Sequence, residues 1–161
     1  MSGEDTSPNT LAGLIAEANE GRLSVRVSQD VRVDAEEFVY IDRECQAFKD
    51  LIRILQRTAT EISDQEVWGL GEDQDPLSSA SVLVSRFREK AKGSDNSVHE
   101  ILEEHYKIVD EIQQLHTAIA QRYIDTDETF AARYHQLTAE LPPPCPIAPP
   151  RTQPGVVPEA R

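Results

Sequence analysis

Apolar residues recur at alternating steps of three and four along two long stretches of this chain. The first stretch runs from Phe38 to Ile62, and the second from Ala80 to Ile119. Such a repeat places its members on one face of an α-helix and is typical of coiled coils. We use the term "heptad seam" for the members of this repeat that are expected to pack between helices. They are Phe38, Ile41, Phe48, Ile52, Leu55, Ile62, Val84, Phe87, Val98, Ile101, Ile108, Ile112, Leu115 and Ile119.

Two such stretches predict two long helices joined by a turn. Asp34 and Glu37 have the spacing of an N-terminal capping box, so the first helix is expected over residues 34–63. A polar turn containing glycine is expected over residues 64–76, followed by a second helix over residues 77–138. Because each helix has one apolar face to bury, the predicted fold class is all-α, an antiparallel two-helix hairpin with long coiled-coil-like arms.

Composition and periodicity disagree at one point of the second helix. Gly93 could end a helix there, and Ser97 with Glu100 could cap the next one. The repeat nevertheless passes through this point without a slip, so we favour one long helix with a weak point near Gly93. The half of this helix that contains Ile108 and Ile119 should then overhang the first helix, and its apolar stripe would need the N-terminal segment or another chain to cover it.

The segments that flank the hairpin of residues 34–140 are less regular. Residues 1–33 are expected to be a leader with a short amphipathic helix near residues 10–20. The connector at residues 22–33 alternates valines with polar residues, which fits either a small β-hairpin or an extended segment. Residues 141–161 hold eight of the ten prolines and are predicted to be a disordered tail.

Charge and composition exclude several classes of function. The formal net charge is −13, so binding to nucleic acid or to an anionic membrane surface is not expected. No apolar run approaches the length of a membrane span, and the first residues lack the pattern of a cleavable signal peptide. We therefore expect a chain that is made in the cytoplasm and does not insert into a membrane.

Recognisable catalytic and metal-binding motifs are missing from the sequence. The histidines form no HExxH pattern, no Glu-x-x-His motif of a di-iron site occurs, and no nucleophile elbow or phosphate-binding glycine loop is present. Cys45 and Cys145 lack the spacing of a metal or redox pair. The sequence thus predicts a protein that is not an enzyme and that uses no metal or cofactor.

The last long apolar segment ends in a group of aromatic residues around an acid. Tyr123, Asp127, Phe130 and Tyr134 follow one another at steps of four, three and four, so on a continuous helix they share one face. After Ile119 the next position of the heptad repeat is Arg122, so the apolar face shifts by one residue, to Tyr123. The aromatic side chains either extend the core beside a solvated acid, or form a face for recognition by another protein, where tyrosine is enriched.

The predicted turn and this aromatic group resemble features of one protein family. Trp68, Gly69 and Gly71 lie in the turn, and the segment that begins with Tyr123 and Asp127 is similar to a Tyr-x-x-x-Asp/Glu helical signal. The hairpin resembles the Esp-like secretion-associated branch of the WxG superfamily, the helical-hairpin proteins of actinobacterial type VII (ESX) secretion systems. The family's Trp-x-Gly places glycine two residues after tryptophan, whereas here the glycines follow at one and three residues.

The resemblance implies a function as well as a fold. The chain would be a non-enzymatic substrate or secretion partner of a type VII system, exported to the medium or cell surface and recognised through Tyr123, Asp127, Phe130 and Tyr134. Its partners would be a helical protein, bound as a homodimer or heterodimer through the heptad seam, and the secretion ATPase or related machinery. The seam and the acidity suit equally a cytoplasmic coiled-coil adaptor or chaperone for a neighbouring effector or toxin, and this alternative stays open.

Overall fold

The computed structural model describes residues 11–24, 33–72 and 78–142. Five helices form in these ranges: α1 (Ala12–Asn19), α2 (Ala35–Asp64), α3 (Ser78–Ala91), α4 (Val98–Thr126) and α5 (Glu128–Glu140). The predicted all-α class is confirmed for this part of the chain, which contains no strand. None of these five helices is both long and apolar enough to cross a membrane. Most of the predicted connector and nearly all of the proline-rich tail lie outside the described residues.

The longest helix, α2, begins where the sequence predicts it. Asp34 has an extended backbone, and its side chain accepts a hydrogen bond from the Glu36 N–H at 2.9 Å. This cap satisfies one of the N–H groups that the first helical turn leaves unpaired. The helix has 30 residues, which corresponds to a length of about 45 Å.

Helices α2 and α4 pack closely, and residues near the start of one helix contact residues near the end of the other. Near the start of α2, the Gln113 amide donates to the Asp42 carboxylate at 2.9 Å. Further along α2, the Gln56 amide donates to the carbonyl oxygen of His99 at 3.3 Å. The two helices therefore run in opposite directions.

The expectation of one unbroken second helix over residues 77–138 is wrong. Helix α3 ends at Ala91, and Gly93 has φ +107°, which residues with a side chain rarely adopt. Ser97 is fully buried and extended, and its hydroxyl accepts from the Glu100 N–H at 3.4 Å to cap α4. The local chemistry of glycine and cap thus prevails over the unbroken heptad repeat.

The expected overhang of the second arm does not form either, because each of its three helices packs against α2. Helix α3 contacts the end of α2, where the Ser63 hydroxyl donates to the carbonyl oxygen of Arg88 at 3.3 Å. Helix α5 returns to the start of α2, where Phe130 and Leu137 are buried with Ala35. All of the second arm therefore lies beside α2.

The predicted N-terminal helix is present as α1, and it packs on α4. Ala18 is its buried residue, and the chain turns away at Gly21, which has φ +71°. The guanidinium of Arg122 lies against Gly21 so closely that an added Cβ would be 2.9 Å from Nη1. The turn after α1 thus depends on glycine for its backbone angle, and a side chain there would also displace the Arg122 guanidinium.

Candidate functional site

The heptad seam is divided between the interior and the surface of the molecule. Ile52 and Val84 are buried, and Phe38, Leu55, Leu115 and Ile119 are half-buried. The other eight members are exposed: Ile41, Phe48, Ile62, Phe87, Val98, Ile101, Ile108 and Ile112. A large part of the predicted packing surface is therefore accessible to a partner.

Polar side chains occupy part of the contact between α2 and α4 in place of these apolar residues. Lys49 is only 8% exposed, and its Nζ lies 2.7 Å from the Asp110 carboxylate. This hydrogen bond lowers the pKa of Asp110. A buried charge is retained in a protein when it is paired and hydrogen-bonded, so this pair fixes the relative position of the two helices.

A second polar cluster lies further along the same contact. The buried Gln56 amide donates to the Glu103 carboxylate at 2.9 Å, and the Arg53 guanidinium pairs with it at 2.6 Å. The hydrogen bonds from Gln56 and then Arg53 lower the pKa of Glu103. Arg53 also lies 3.8 Å from the centre of the Tyr106 ring, which is a cation–π contact. The sequence prediction missed both polar clusters, although charged residues beside an apolar repeat were their signal.

Beside this polar contact, an apolar groove opens between α2 and α4. Ile41, Cys45 and Phe48 form its wall on α2, and Val109 and Ile112 form its wall on α4. Burial, the largest cause, and then the charge of Asp42 raise the pKa of the Cys45 thiol, so the thiol is not activated as a nucleophile. The groove therefore offers mainly apolar contact, beside an unreactive thiol.

The predicted tryptophan turn is closely organised. The Trp68 ring stacks on Phe87 at 5.7 Å between centroids, and its Nε1 donates to the carbonyl oxygen of Gln65 at 3.2 Å. Gly69 and Gly71 have φ +71° and +86°, so both glycines are needed for the path of the backbone. Trp68 thus ties the turn to α3.

Glu72 closes this turn and was missed by the sequence prediction. Its carboxylate accepts hydrogen bonds from the N–H groups of Trp68, Gly69 and Leu70. Backbone hydrogen bonds, its own first and then that of Trp68, lower its pKa. An acid directly after the glycines was the available signal, because successive N–H groups of a glycine-containing turn form an anion-binding concavity.

The aromatic residues of the predicted recognition signal cluster where α4 meets α5. Phe130 is 7% exposed and lies in the core, with its ring centroid 5.4 Å from Tyr123, 6.0 Å from Tyr134 and 5.6 Å from Phe38 of α2. Tyr123 and Tyr134 are half-buried. Burial, and then the charge of Asp42, raise the pKa of Tyr134. The cluster therefore extends the core and also presents two tyrosines at its edge.

Asp127 occupies the break between these two helices. Its N–H donates to the carbonyl oxygen of Tyr123 at 2.8 Å and ends α4. Its Oδ1 accepts from the N–H groups of Thr129 and Phe130, at 2.9 and 3.0 Å, and starts α5. The prediction that the four signal residues share one continuous helix is therefore wrong, although the break still brings them together.

The turn and the aromatic cluster lie at opposite ends of α2. Trp68 lies four residues beyond the end of α2, whereas Tyr123 contacts Phe38, in the first turns of α2, at 5.8 Å between ring centroids. A helix of this length separates them by about 40 Å. One copy of the chain therefore does not bring its tryptophan turn and its aromatic cluster into one site.

The histidines form no metal site in the part of the chain that is described, where no group of three His, Cys, Asp or Glu residues is placed to hold an ion. His116 instead stacks on Phe38 at 4.4 Å between ring centroids. Burial lowers the pKa of His116, and the charge of Asp42 partly opposes this shift. His116 thus belongs to the aromatic cluster.

Comparisons of the chain with protein-family models, with curated proteins and with solved structures find no match.

Proposed function

We propose that this protein is a non-enzymatic helical recognition protein, a substrate or secretion partner of a type VII (ESX) secretion system. In this proposal α2 and α4 are the arms of a hairpin that pairs with a helical partner. The observation that carries the proposal is the α4–α5 junction, where Tyr123 and Tyr134 flank buried Phe130 beside the exposed Asp127. This arrangement supports recognition by the secretion ATPase or a related component.

In this proposal the residues of the α4–α5 junction have different roles in recognition. Phe130 anchors α5 in the core, so the tyrosine edges keep a fixed position. Rigid aromatic side chains are frequent anchors at protein interfaces. Asp127 makes no ion pair with the rest of the described chain, so its charge is accessible to a basic group of the machine. A tryptophan turn beside this site would come from the partner, since Trp68 lies at the far end of α2.

The proposal is tested by separating the charge of Asp127 from its capping role. Asp127→Asn removes the charge but keeps an oxygen that caps α5 nearly as well, whereas Asp127→Ala removes both. We expect Asp127→Asn to abolish export in the native host while leaving the protein folded and abundant in the cell. Asp125→Asn is the matched control, because Asp125 is an exposed acid two residues earlier, on α4.

Two results would overturn this function. If the intact protein never reaches the culture filtrate and the export of no other protein depends on it, it is neither an exported substrate nor a secretion partner. If Asp127→Asn is exported and supports export like the parent chain, Asp127 acts only as a helix cap. Both measurements compare cell and filtrate fractions with a lysis marker.

The alternative function is a cytoplasmic coiled-coil adaptor or chaperone for a neighbouring effector or toxin. The groove between α2 and α4 favours it, since an adaptor needs an exposed apolar surface and not an export signal. Retention of the full-length protein in the cell, together with a stable complex with that effector, would support this alternative.

A further inference from the structure

The groove between α2 and α4 has the surface chemistry of a protein-binding site. Phe48 is 47% exposed and Ile112 is 44% exposed, although both are large and apolar. They line the groove together with Ile41 and Val109. Contiguous exposed apolar residues between two helices mark a surface that another protein covers.

The shape of the helix pair indicates that the occupant is a helix. Further along the pair, α3 contacts both α2 and α4, and its Val84 and Ala91 are buried. The same chain therefore already packs a third helix against the pair. The groove at Phe48 is a second position of this kind and is open in the described part of the chain.

The charge around the groove indicates the chemistry of this helix. Glu37 and Glu44 line it one heptad apart, and its other lining residues are uncharged. Both glutamates are exposed, and neither forms an ion pair with another described residue. Lysine or arginine beside the apolar face of an incoming helix would meet these two acids, and such complementary charges select partners and speed their association.

A second copy of the chain fits this groove poorly. Each copy has a net charge of −13, and the same groove of a second copy would bring Glu37 and Glu44 towards identical acids. Like charges placed against one another across an interface disfavour that partner. The observations thus favour a different protein over self-association.

We propose that this groove binds an amphipathic helix of another protein whose apolar face is bordered by lysine or arginine. The proposal rests on the proposed function and names the chemistry of the helical partner. Phe48 and Ile112 supply the apolar contact, while Glu37 and Glu44 select basic over acidic helices.

Binding of model peptides tests both parts of this proposal. The probes are fluorescent amphipathic peptides of about 18 residues, or five helical turns, one of leucine and lysine and the other of leucine and glutamate. Anisotropy titrations with the full chain at physiological salt should detect binding of the lysine peptide only. A double variant, Phe48→Ser with Ile112→Ser, should weaken this binding at least about tenfold. The matched control is Val82→Ser, which changes an apolar residue on α3 that is 53% exposed.

A second pair of variants tests the charge. Glu37→Gln with Glu44→Gln should weaken binding of the lysine peptide and reduce its salt dependence. Glu61→Gln with Glu66→Gln is the control, since it removes the same charge from exposed positions outside the groove. If the two glutamine double variants weaken binding of the lysine peptide equally, only the overall acidity attracts the peptide and the proposal fails.

Three further outcomes would overturn the proposal. The lysine peptide could bind the serine double variant as it binds the parent chain. The glutamate peptide could bind equally well. Light scattering could show a dimer of the parent chain that the serine double variant converts to a monomer, which would make a second copy the occupant. Circular dichroism of each variant establishes that it is folded. Failure of this binding test can be distinguished from failure of the proposed function, because the export test with Asp127→Asn does not involve the groove.

Discussion

Asp127 shows that one residue of the predicted recognition signal has a structural role of its own. Its side chain caps α5 through two N–H groups, so we expect Asp127→Ala to lower the free energy of unfolding by about 0.5–2 kcal/mol. Asp127→Asn should cost less than half of that, because asparagine caps helices about as well. Urea denaturation of both variants measures this difference. Equal losses would contradict the capping role.

His116 predicts a dependence of stability on pH. Burial lowers its pKa in the folded chain below the ordinary value of 6.5, so the unfolded chain binds the proton more readily. Stability should therefore be complete above pH 6.5 and fall as the pH drops from there towards the folded pKa. Glu103 and Asp110, whose pKa values are lowered, stay charged in this range.

The measurement for this pH effect compares two proteins at two pH values. Urea denaturation at about pH 7.5 and about pH 5.5, on either side of the ordinary histidine pKa, gives the loss of stability for the parent chain and for His116→Gln. The parent chain should lose more stability than the variant. The same loss in both would assign the effect to other groups.

At the scale of elements, the break before α4 depends on one glycine. Gly93 has φ +107°, and a Cβ added there would meet no atom within 4 Å. Gly93→Ala should therefore cost about 1–3 kcal/mol through backbone strain alone. Gly13→Ala is the control, because Gly13 lies inside α1 with equally open space, and alanine there should stabilise the helix by about 0.5–1 kcal/mol. Thermal or urea unfolding of both variants distinguishes the two signs.

The pairing of α2 with α4 predicts a coupling between two charged residues. Lys49 is buried, while the side chain of Asp110 keeps 35% of its exposure. Removing either partner should cost about 1.5–3 kcal/mol, the range for hydrogen bonds to charged groups, and the partial exposure of Asp110 favours the lower end. A double-mutant cycle with Lys49→Met and Asp110→Ala measures the coupling. Additive effects would show that the pair does not hold the helices together.

Much of the helical content could be predicted from the sequence, but the faces and breaks of the helices could not. The start of α2 follows from the cap at Asp34 and from the periodicity, which are local signals. The breaks at Gly93 and Asp127 also arise from local chemistry, yet the heptad repeat and the four-three spacing continue through both positions. Spacing along a chain does not say whether the backbone stays helical between two residues.

Periodicity also could not predict which residues of the heptad seam are buried and which are exposed. A three-four repeat identifies an apolar face, but it does not say which helix that face meets. In this chain Lys49 and Gln56, with partners on α4, take buried positions between the two helices. The neighbouring seam residue Phe48 is thereby left at the surface. Such pairing between residues 61 and 47 positions apart in the chain is a tertiary effect that overrides the local pattern.

At the scale of the whole molecule, the division of the seam between core and surface makes Ile52 and Phe48 behave differently, although they are one helical turn apart. Ile52 is 1% exposed, so Ile52→Ala should cost about 2–5 kcal/mol. Phe48 is 47% exposed, so Phe48→Ala should cost about 1 kcal/mol or less in the isolated chain. Urea denaturation at two protein concentrations tests this, because an oligomer would make stability depend on concentration. If both substitutions lower the free energy of unfolding equally, and the loss grows with protein concentration, a second copy already covers Phe48. If Phe48→Ala lowers it only slightly at both concentrations, the groove is open for a different partner.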